Sequence, residues 1–170
     1  WPDTLHNTGI LRYGGRNWVR PGLMLFGASP LRSRTAAELG LQPAMSFETR
    51  LISVKAVAMG QRVGYGGHWV APRNSVLGIA AAGYADGYPW HARSGTRVGV
   101  GSAFGTLVGR VSMDMISIDL SDAPGAVIGD RVVLWGDGPG VEEVAAAANT
   151  IPWTLMTGIN RRVAVRLDAG

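Results

Sequence analysis

The sequence predicts a mainly β domain, folded as a sandwich or a barrel, with two short helices near its C-terminal end. From residue 44 onward, short apolar segments are separated by turns that contain glycine, which is typical of antiparallel sheets. Glycine accounts for 25 of the 170 residues. The chain is 46% hydrophobic and only 16% charged, so we expect it to fold around a core rather than remain disordered.

The first 43 residues have a different character from the rest. Residues 1–27 are loop-like up to the apolar run Leu23–Phe26. That run follows an Arg-Pro-Gly turn and can form a buried strand. Residues 28–43 form a connector, in which Ala36–Leu39 can make one helical turn.

Seven strands are predicted between residues 44 and 135: Met45–Ala58, Gln61–Tyr65, His68–Ala71, Ser75–Ala82, Thr96–Val100, Phe104–Met115 and Arg131–Trp135. Gly66 and Gly67 favour a hairpin between the second and the third. After Met115 the apolar residues change phase, which predicts a bulge or register change near Met115–Ile116. The alternation of Val163, Val165 and Leu167 predicts a last strand.

Two short helices are predicted between these last two strands. Val141–Asn149 carries acidic residues in its first turn, which favours the start of a helix. Thr150 then has the side chain of an N-cap, close to Pro152, and Gly158 is a suitable stop for the second helix.

Composition excludes several classes of protein. The sequence contains no cysteine, which rules out disulfides, thiolate zinc sites and thiol nucleophiles. It has no apolar stretch of about 18 residues and no visible signal peptide. Lys55 is the only lysine, so chemistry that needs a lysine amine must use Lys55 or find its lysine elsewhere. The chain starts at Trp1 rather than methionine, and we expect a processed chain or a fragment.

The net charge of +4 is carried almost wholly by 15 arginines. A guanidinium offers a planar fork to carboxylates and phosphates. Nucleic-acid binding would favour clustered basic residues interleaved with aromatic ones, whereas these arginines are scattered apart from the pair Arg161–Arg162. Small anions are therefore better candidate ligands than a polyanion such as nucleic acid.

The sequence contains no motif known to bind zinc or phosphate, and its three histidines are widely spaced. No metal site is predicted. Asp86, Asp114 and Asp119 could meet in the fold as a carboxylate pair, although nothing in their spacing supports it. Tyr65 and Tyr84 lie in glycine-rich segments. Each either packs over exposed backbone or presents its phenol to a site.

Four motifs taken together point to a family: VRPGLMLFG at 19–27, VGYG at 63–66, AGYADGYP at 82–89 and GRVSMD at 109–114. In this order and spacing the chain resembles the C-terminal half of bacterial alanine racemases, from about residue 6 to residue 166. The resemblance implies a cytoplasmic, pyridoxal-phosphate-dependent isomerase that interconverts L- and D-alanine for peptidoglycan. It implies a head-to-tail homodimer whose subunits have an N-terminal (β/α)8 barrel and a C-terminal β domain. Residues 1–34 would be the end of that barrel and its connector, and residues 35–170 the β domain.

The resemblance also assigns substrate contacts. Tyr65 matches one of the two catalytic bases, which works in the active site of the partner subunit. Two bases are needed because racemisation removes the α-proton on one face and returns it on the other. The backbone N–H of Met113 would bind the substrate carboxylate, and Tyr84 and Arg110 would line the substrate entrance.

The expected cofactor contacts lie mostly near the N-terminus. Arg20 matches the arginine that hydrogen-bonds the pyridine nitrogen and keeps it unprotonated. The phosphate would be held by a set of residues that also includes backbone amides: Asn7, Thr8, Gly22 and Leu23. Arg161 stands where some members have a tyrosine that contacts the phosphate.

Two further departures matter for activity. Trp90 follows Pro89 where members commonly carry an arginine, a charge that Arg93 could replace. Lys55 matches a strand lysine rather than the cofactor lysine, which in the family lies in the N-terminal barrel, in a segment this chain lacks. We therefore expect the chain alone to be inactive.

Other functions stay open at this stage. The chain could be a non-catalytic β-barrel binding module or a racemase fragment of broader amino-acid specificity. A third alternative is a nucleic-acid-binding barrel. Neither nucleic acid nor a membrane is the favoured partner.

Overall fold

The computed structural model describes residues 11–13, 16–18, 20–31 and 33–167. The strands are β1 Leu11–Tyr13, β2 Arg16–Trp18, β3 Phe47–Val57, β4 Arg62–Val63, β5 Trp69–Val70, β6 Ser75–Ala80, β7 Arg97–Val100, β8 Ala103–Val108, β9 Ile116–Asp119 and β10 Arg131–Trp135. The α-helices are α1 Val141–Ala147 and α2 Pro152–Thr157. Short 3-10 helices lie at Gly22–Phe26, Ala37–Leu39, Tyr65–Gly67 and Tyr84–Asp86.

Six of these strands close into an antiparallel barrel in the order β10-β3-β6-β9-β8-β7. The 11-residue strand β3 pairs with both β6 and β10, and the pairing of β10 with β7 closes the ring. Alternate residues point inward, so Leu51, Leu107 and Ile118 are buried in the main core. Closure leaves no free sheet edge in the barrel. The predicted mainly β class, with two short helices, is confirmed.

The two helices pack on this core through their apolar faces. Val141, Val144 and Ala145 of α1 and Leu155 of α2 are buried. Both helices were predicted at these places, and Gly158 follows α2 as expected. Thr150 is not the N-cap, however: that residue is Ile151, and Pro152 takes the first helical position, where its missing N–H costs nothing. No helix in the described ranges has the length and apolarity needed to cross a membrane.

A small satellite of the fold lies outside the barrel. Strands β4 and β5 form a two-stranded antiparallel hairpin, as the glycine pair between them predicted. Val63 and Trp69 from this hairpin pack on a second apolar cluster formed by Val57, Ala71, Leu77 and Val108. That contact fixes the hairpin, and with it the Tyr65–Gly67 turn, against strands β3, β6 and β8.

Three predictions about strands are wrong. Leu23–Phe26 forms a 3-10 helix, because Pro21 enters it in the right-handed helical region and Gly27 ends it at φ +78°. Residues 163–167 form no strand, and Val165 and Leu167 are exposed. Their alternation finds no partner because the barrel closes without them.

The third correction concerns the predicted strand Phe104–Met115. Strand β8 ends at Val108, and β9 begins at Ile116 and runs antiparallel to it. The change of phase near Met115 therefore marks the end of a loop, not a bulge in one strand. Gly109 at φ +74° starts this loop. Its second half is a turn in which the Ser112 N–H donates to the Met115 carbonyl at 3.0 Å. One side of the cleft described below is built on this loop.

Candidate active site

An open cleft of about 230 Å³ lies beside the satellite hairpin. Its walls come from three separate parts of the chain: Tyr65, Tyr84, Trp90, Arg110, Val111, Ser112 and Met113. Four of these residues are the ones that the sequence assigned to substrate contacts, namely Tyr65, Tyr84, Arg110 and Met113. The fold thus gathers into one place residues that are up to 48 positions apart.

Tyr65 is brought to the cleft by a close backbone approach. Gly64 adopts φ +77° and ψ −179°, a conformation that is essentially restricted to glycine. A Cβ atom on Gly64 would stand 3.8 Å from both the Gly109 Cα and the Arg110 nitrogen. The hairpin and the loop after β8 therefore run side by side, which places Tyr65 and Arg110 along the same cleft. The Tyr65 side chain is 74% exposed.

The opposite wall joins the Tyr84 turn to the Met113 loop. The backbone N–H of Tyr84 donates to the Ser112 carbonyl, and that of Ala85 donates to the Met113 carbonyl, both at 3.0 Å. Gly83 allows this approach because a Cβ atom there would collide with the carbonyl groups of Ser112 and Met113. The two segments are therefore joined directly through their backbones.

Several donors in this cleft are free to receive a ligand. Within residues 20–31 and 33–167, no acceptor takes the backbone N–H of Met113. The Arg110 guanidinium and the Tyr65 and Tyr84 hydroxyls likewise have no partner in that part of the chain. A free guanidinium and a free N–H in one cleft can bind a carboxylate. The phenols can hold or transfer a proton.

An ionic cluster behind the cleft was not predicted from the sequence. Arg162 donates to Asp86 Oδ1 through Nε and to Asp114 Oδ1 through Nη2, both at 2.7 Å. These two hydrogen bonds raise the pKa of Arg162 above its usual value. Asp119, the third member of the carboxylate set considered above, instead accepts from the Ser121 N–H at 2.9 Å. Asp86 and Asp114 share a cation, so they do not form the paired acid and base of a glycosidase.

Of the residues expected to hold a cofactor, those that the structure describes are not among the residues that line this cleft. Arg20 and Gly22 are exposed, and Leu23 buries its side chain in the main core. The N–H groups of Gly22 and Leu23 have no acceptor in the described ranges. Arg161 is exposed and does not line the cleft, while Asn7 and Thr8 lie outside the described residues.

The only lysine of the chain lies near the C-terminal end of strand β3. Lys55 is exposed on β3, where it pairs with Leu77. It lies eight residues from Phe47, or roughly 26 Å along the strand at ~3.3 Å per residue. The 3-10 helix Gly22–Phe26 meets the chain just before the Phe47 end, through a hydrogen bond from the Ala44 N–H to the Phe26 carbonyl at 3.2 Å.

This chain is similar in sequence to alanine racemases. Residues 44–167 match the model of the alanine racemase C-terminal domain. The chain is 52% identical over 147 residues to the biosynthetic alanine racemase of Pseudomonas aeruginosa, covering 86% of this chain and 41% of that protein. It is 49% identical to the alanine racemase of Nitrosomonas eutropha, covering 95% of this chain and 46% of the other.

The fold agrees with these sequence matches. The crystal structure of the P. aeruginosa biosynthetic enzyme superposes with a TM-score of 0.86 at 51% identity, covering 89% of this chain and 42% of that one. The chain spans less than half of the length of each of these relatives. At this level of identity, over most of its length, the chain belongs to the alanine racemase family, and residues 44–167 are its C-terminal domain.

Proposed function

We propose that this chain is the C-terminal part of an alanine racemase that uses pyridoxal phosphate to interconvert L- and D-alanine and supplies D-alanine for peptidoglycan. The observation that carries the proposal is the cleft in which Tyr65, Tyr84, Arg110 and the free N–H of Met113 meet. It offers a binding site for a carboxylate and a phenol that can handle a proton.

Substrate binding begins with charge. Arg110 has no partner in the described ranges, so its guanidinium attracts the carboxylate of an incoming amino acid toward the cleft. The backbone N–H of Met113 then donates to one carboxylate oxygen and orients the substrate. Tyr84 and Trp90 supply aromatic side chains at the entrance.

Tyr65 acts on the α-proton. In its deprotonated form, its oxygen takes the proton of the α-carbon on one face and becomes the neutral phenol, and a second, protonated group gives a proton to the opposite face. We assign that second group to the N-terminal part of the protein. Because the Tyr65 side chain is 74% exposed, we propose that it works in the active site of a second subunit, in a head-to-tail homodimer.

The residues near position 22 fit the cofactor. The N–H groups of Gly22 and Leu23 have no acceptor in the described ranges, and the Arg20 side chain is exposed. These are the donors that a phosphate and a pyridine nitrogen need. When bound, pyridoxal phosphate withdraws electrons from the α-carbon and makes its proton removable. Arg20 would donate to the pyridine nitrogen of the bound cofactor, and the Gly22 and Leu23 amides would donate to its phosphate.

The test uses the full-length protein that carries this chain. Racemisation is followed in D₂O, where exchange of the α-proton is measured separately from L- and from D-alanine. Tyr65→Phe should lose exchange on one face by about 10²–10⁴-fold while it retains the cofactor. Tyr88→Phe is the matched control, because it removes a phenol that is buried outside the cleft. Equal activity of the two variants would refute the role of Tyr65, and a full-length protein without racemase activity would refute the function.

Two alternatives are separated by simpler experiments. If the chain is a non-catalytic module, the full-length protein will fail to rescue a D-alanine auxotroph. If its specificity is broader, other amino acids will be racemised at rates comparable to alanine. The 170-residue chain alone, mixed with pyridoxal phosphate, should show neither racemisation nor covalent capture of the cofactor. Activity through Lys55 would contradict the assignment of the cofactor lysine to the N-terminal part.

A further inference from the structure

Arg162 joins three segments that are distant in sequence. Its Nε donates to Asp86 Oδ1 and its Nη2 to Asp114 Oδ1, both at 2.7 Å. The other Asp86 oxygen accepts from the Gly83 N–H at 2.8 Å. The Asp86 carbonyl accepts from the Asn160 N–H at 3.1 Å. One guanidinium therefore connects the turn that carries Tyr84, the loop that carries Met113 and the C-terminal segment.

The charges explain why the connection needs an arginine. Asp86 and Asp114 both lie within reach of one guanidinium, and the Asp86 side chain is only 16% exposed. Without a cation between them, the two carboxylates would repel each other across the boundary between turn and loop. A guanidinium can satisfy both at once because its N–H groups point in fixed, divergent directions, which a lysine ammonium cannot reproduce.

The backbone hydrogen bonds between the Tyr84 turn and the Met113 loop depend on the distance between Asp86 and Asp114. Two hydrogen bonds link the segments directly: the Tyr84 N–H donates to the Ser112 carbonyl, and the Ala85 N–H donates to the Met113 carbonyl. If Asp86 and Asp114 separate, these bonds lengthen, and Met113 shifts relative to Tyr84. The Arg162 guanidinium thus lies outside the cleft but contacts both segments that form one wall of it.

We propose that Arg162 is a positioning residue: by bridging Asp86 and Asp114, it holds the Met113 N–H in place to receive the carboxylate of an amino-acid substrate. The inference rests on the proposed racemase function for its kinetic consequence. It does not need that function for its structural consequence, which can be measured on the chain itself.

Arg131 offers a matched control. It is also an exposed arginine that contacts two carboxylates, Glu48 and Asp137, but it lies on β10, outside the cleft. Arg162→Gln and Arg131→Gln therefore make the same change in net charge and break the same kind of contact. Arg162→Lys keeps the charge and removes the fork. The double variant Arg162→Gln with Asp114→Asn removes the repulsion as well as the cation.

Two readouts distinguish the outcomes. In hydrogen exchange on the 170-residue chain, the amides of Tyr84 and Ala85 should exchange about tenfold faster in Arg162→Gln and be unchanged in Arg131→Gln. In the full-length protein, Arg162→Gln should raise the KM for alanine about tenfold, with a smaller change in kcat. Arg162→Lys should be intermediate, and the double variant should recover part of the loss.

The results that would overturn the proposal are equally direct. Equal exchange of Tyr84 and Ala85, and equal KM, in Arg162→Gln and Arg131→Gln would make Arg162 an ordinary surface residue. If Arg162→Gln does not fold, Arg162→Lys is compared with Arg131→Lys in the same way, since both keep the charge and remove the fork. A full-length protein without racemase activity refutes the proposed function, while the exchange measurement still decides whether Arg162 holds the turn and the loop together.

Discussion

Gly83 lies directly against the backbone of Met113: a Cβ atom on Gly83 would stand 2.5 Å from the Met113 carbonyl carbon and closer still to its oxygen. The backbone of Gly83 is extended, at φ −149°, so conformational freedom is not the reason for a glycine here. The absence of a side chain is what lets the Tyr84 turn approach the Met113 loop.

Gly83→Ala should therefore destabilise the chain and disturb the cleft. The new methyl group collides with backbone, which cannot rotate away, and we expect a loss of about 1–3 kcal/mol in the free energy of unfolding. Gly140→Ala is the control, because Gly140 has φ −62° and its nearest neighbour is the flexible Glu142 carboxylate at 3.3 Å. Urea denaturation measures both. Equal losses would mean that Gly83 and Met113 are not in contact in solution.

Arg110→Gln should weaken substrate capture more than turnover. Its guanidinium is unpaired in the described ranges, and a charge-assisted contact to a carboxylate is worth about tenfold or more in affinity. We expect a higher KM for alanine with little change in kcat, and a weaker dependence of kcat/KM on ionic strength. Arg73→Gln is the control, since Arg73 pairs with Asp122 at 3.5 Å away from the cleft. A KM unchanged by Arg110→Gln would remove this residue from the entrance.

Tyr88 should limit stability at alkaline pH. Its ring stacks on Trp135 with centroids 6.3 Å apart, and its hydroxyl is buried without a partner in the described part of the chain. Burial raises the pKa of this phenol well above its ordinary value. Above about pH 10 the unfolded chain ionises Tyr88 while the folded chain cannot, so stability falls as pH rises.

Tyr88→Phe removes both the cost of burying an unpartnered hydroxyl and the loss of stability at alkaline pH. At pH 7 it should be neutral or stabilising by up to about 1 kcal/mol, because an unsatisfied buried hydroxyl is deleted. Above about pH 10 its advantage over the natural sequence should grow by about 1.4 kcal/mol per pH unit. Urea denaturation at pH 7, 10 and 11 gives both values. Parallel pH profiles for the two proteins would show that the Tyr88 hydroxyl reaches solvent or a partner.

Most strands of the barrel were predictable because each is a short apolar segment bounded by turns, although their pattern alone left a sandwich and a barrel open. Phe47 and Leu51 alternate along β3 and point into the core, so the sequence shows both the strand and its buried face. The hairpin that carries Tyr65 was equally visible in its glycine pair. An alternating pattern does not predict a strand correctly where no neighbouring strand is available for pairing. Val163, Val165 and Leu167 alternate like a strand, yet the barrel leaves no edge for them to join.

The cleft was predictable only in part. Tyr65, Tyr84, Arg110 and Met113 could be named because they lie in recognisable motifs, but their meeting depends on backbone contacts at Gly64 and Gly83 that no local pattern reveals. Arg162 was missed altogether. It is separated from Asp86 by 76 residues and from Asp114 by 48. No local sequence pattern around Arg161 and Arg162 indicates a contact over that separation.

The contact between Glu48 and Arg131 predicts an effect at acid pH. Glu48 accepts two hydrogen bonds from the Arg131 guanidinium, through Nε at 2.8 Å and through Nη2. The Arg131 hydrogen bond lowers the pKa of Glu48 below its usual value, partly opposed by burial. The folded chain thus keeps Glu48 ionised at a pH where the unfolded chain protonates it. The pair stabilises the fold above that pH, and this contribution is lost as pH falls through the lowered pKa.

Glu48→Gln should remove that contribution and little else. Both side chains are more than one third exposed, at 38% and 44%, so the loss at pH 7 should be below about 1 kcal/mol and should shrink in 1 M salt because the charges are screened. The difference between the variant and the natural sequence should begin to close as the pH falls below the ordinary glutamate value of about 4.3, where the unfolded chain binds a proton that the folded chain does not, and should vanish below the lowered pKa of Glu48. Denaturant titrations from pH 7 to pH 3 measure it. A difference that stayed constant over this range would show that the Gln substitution acts through packing between β3 and β10 and not through charge.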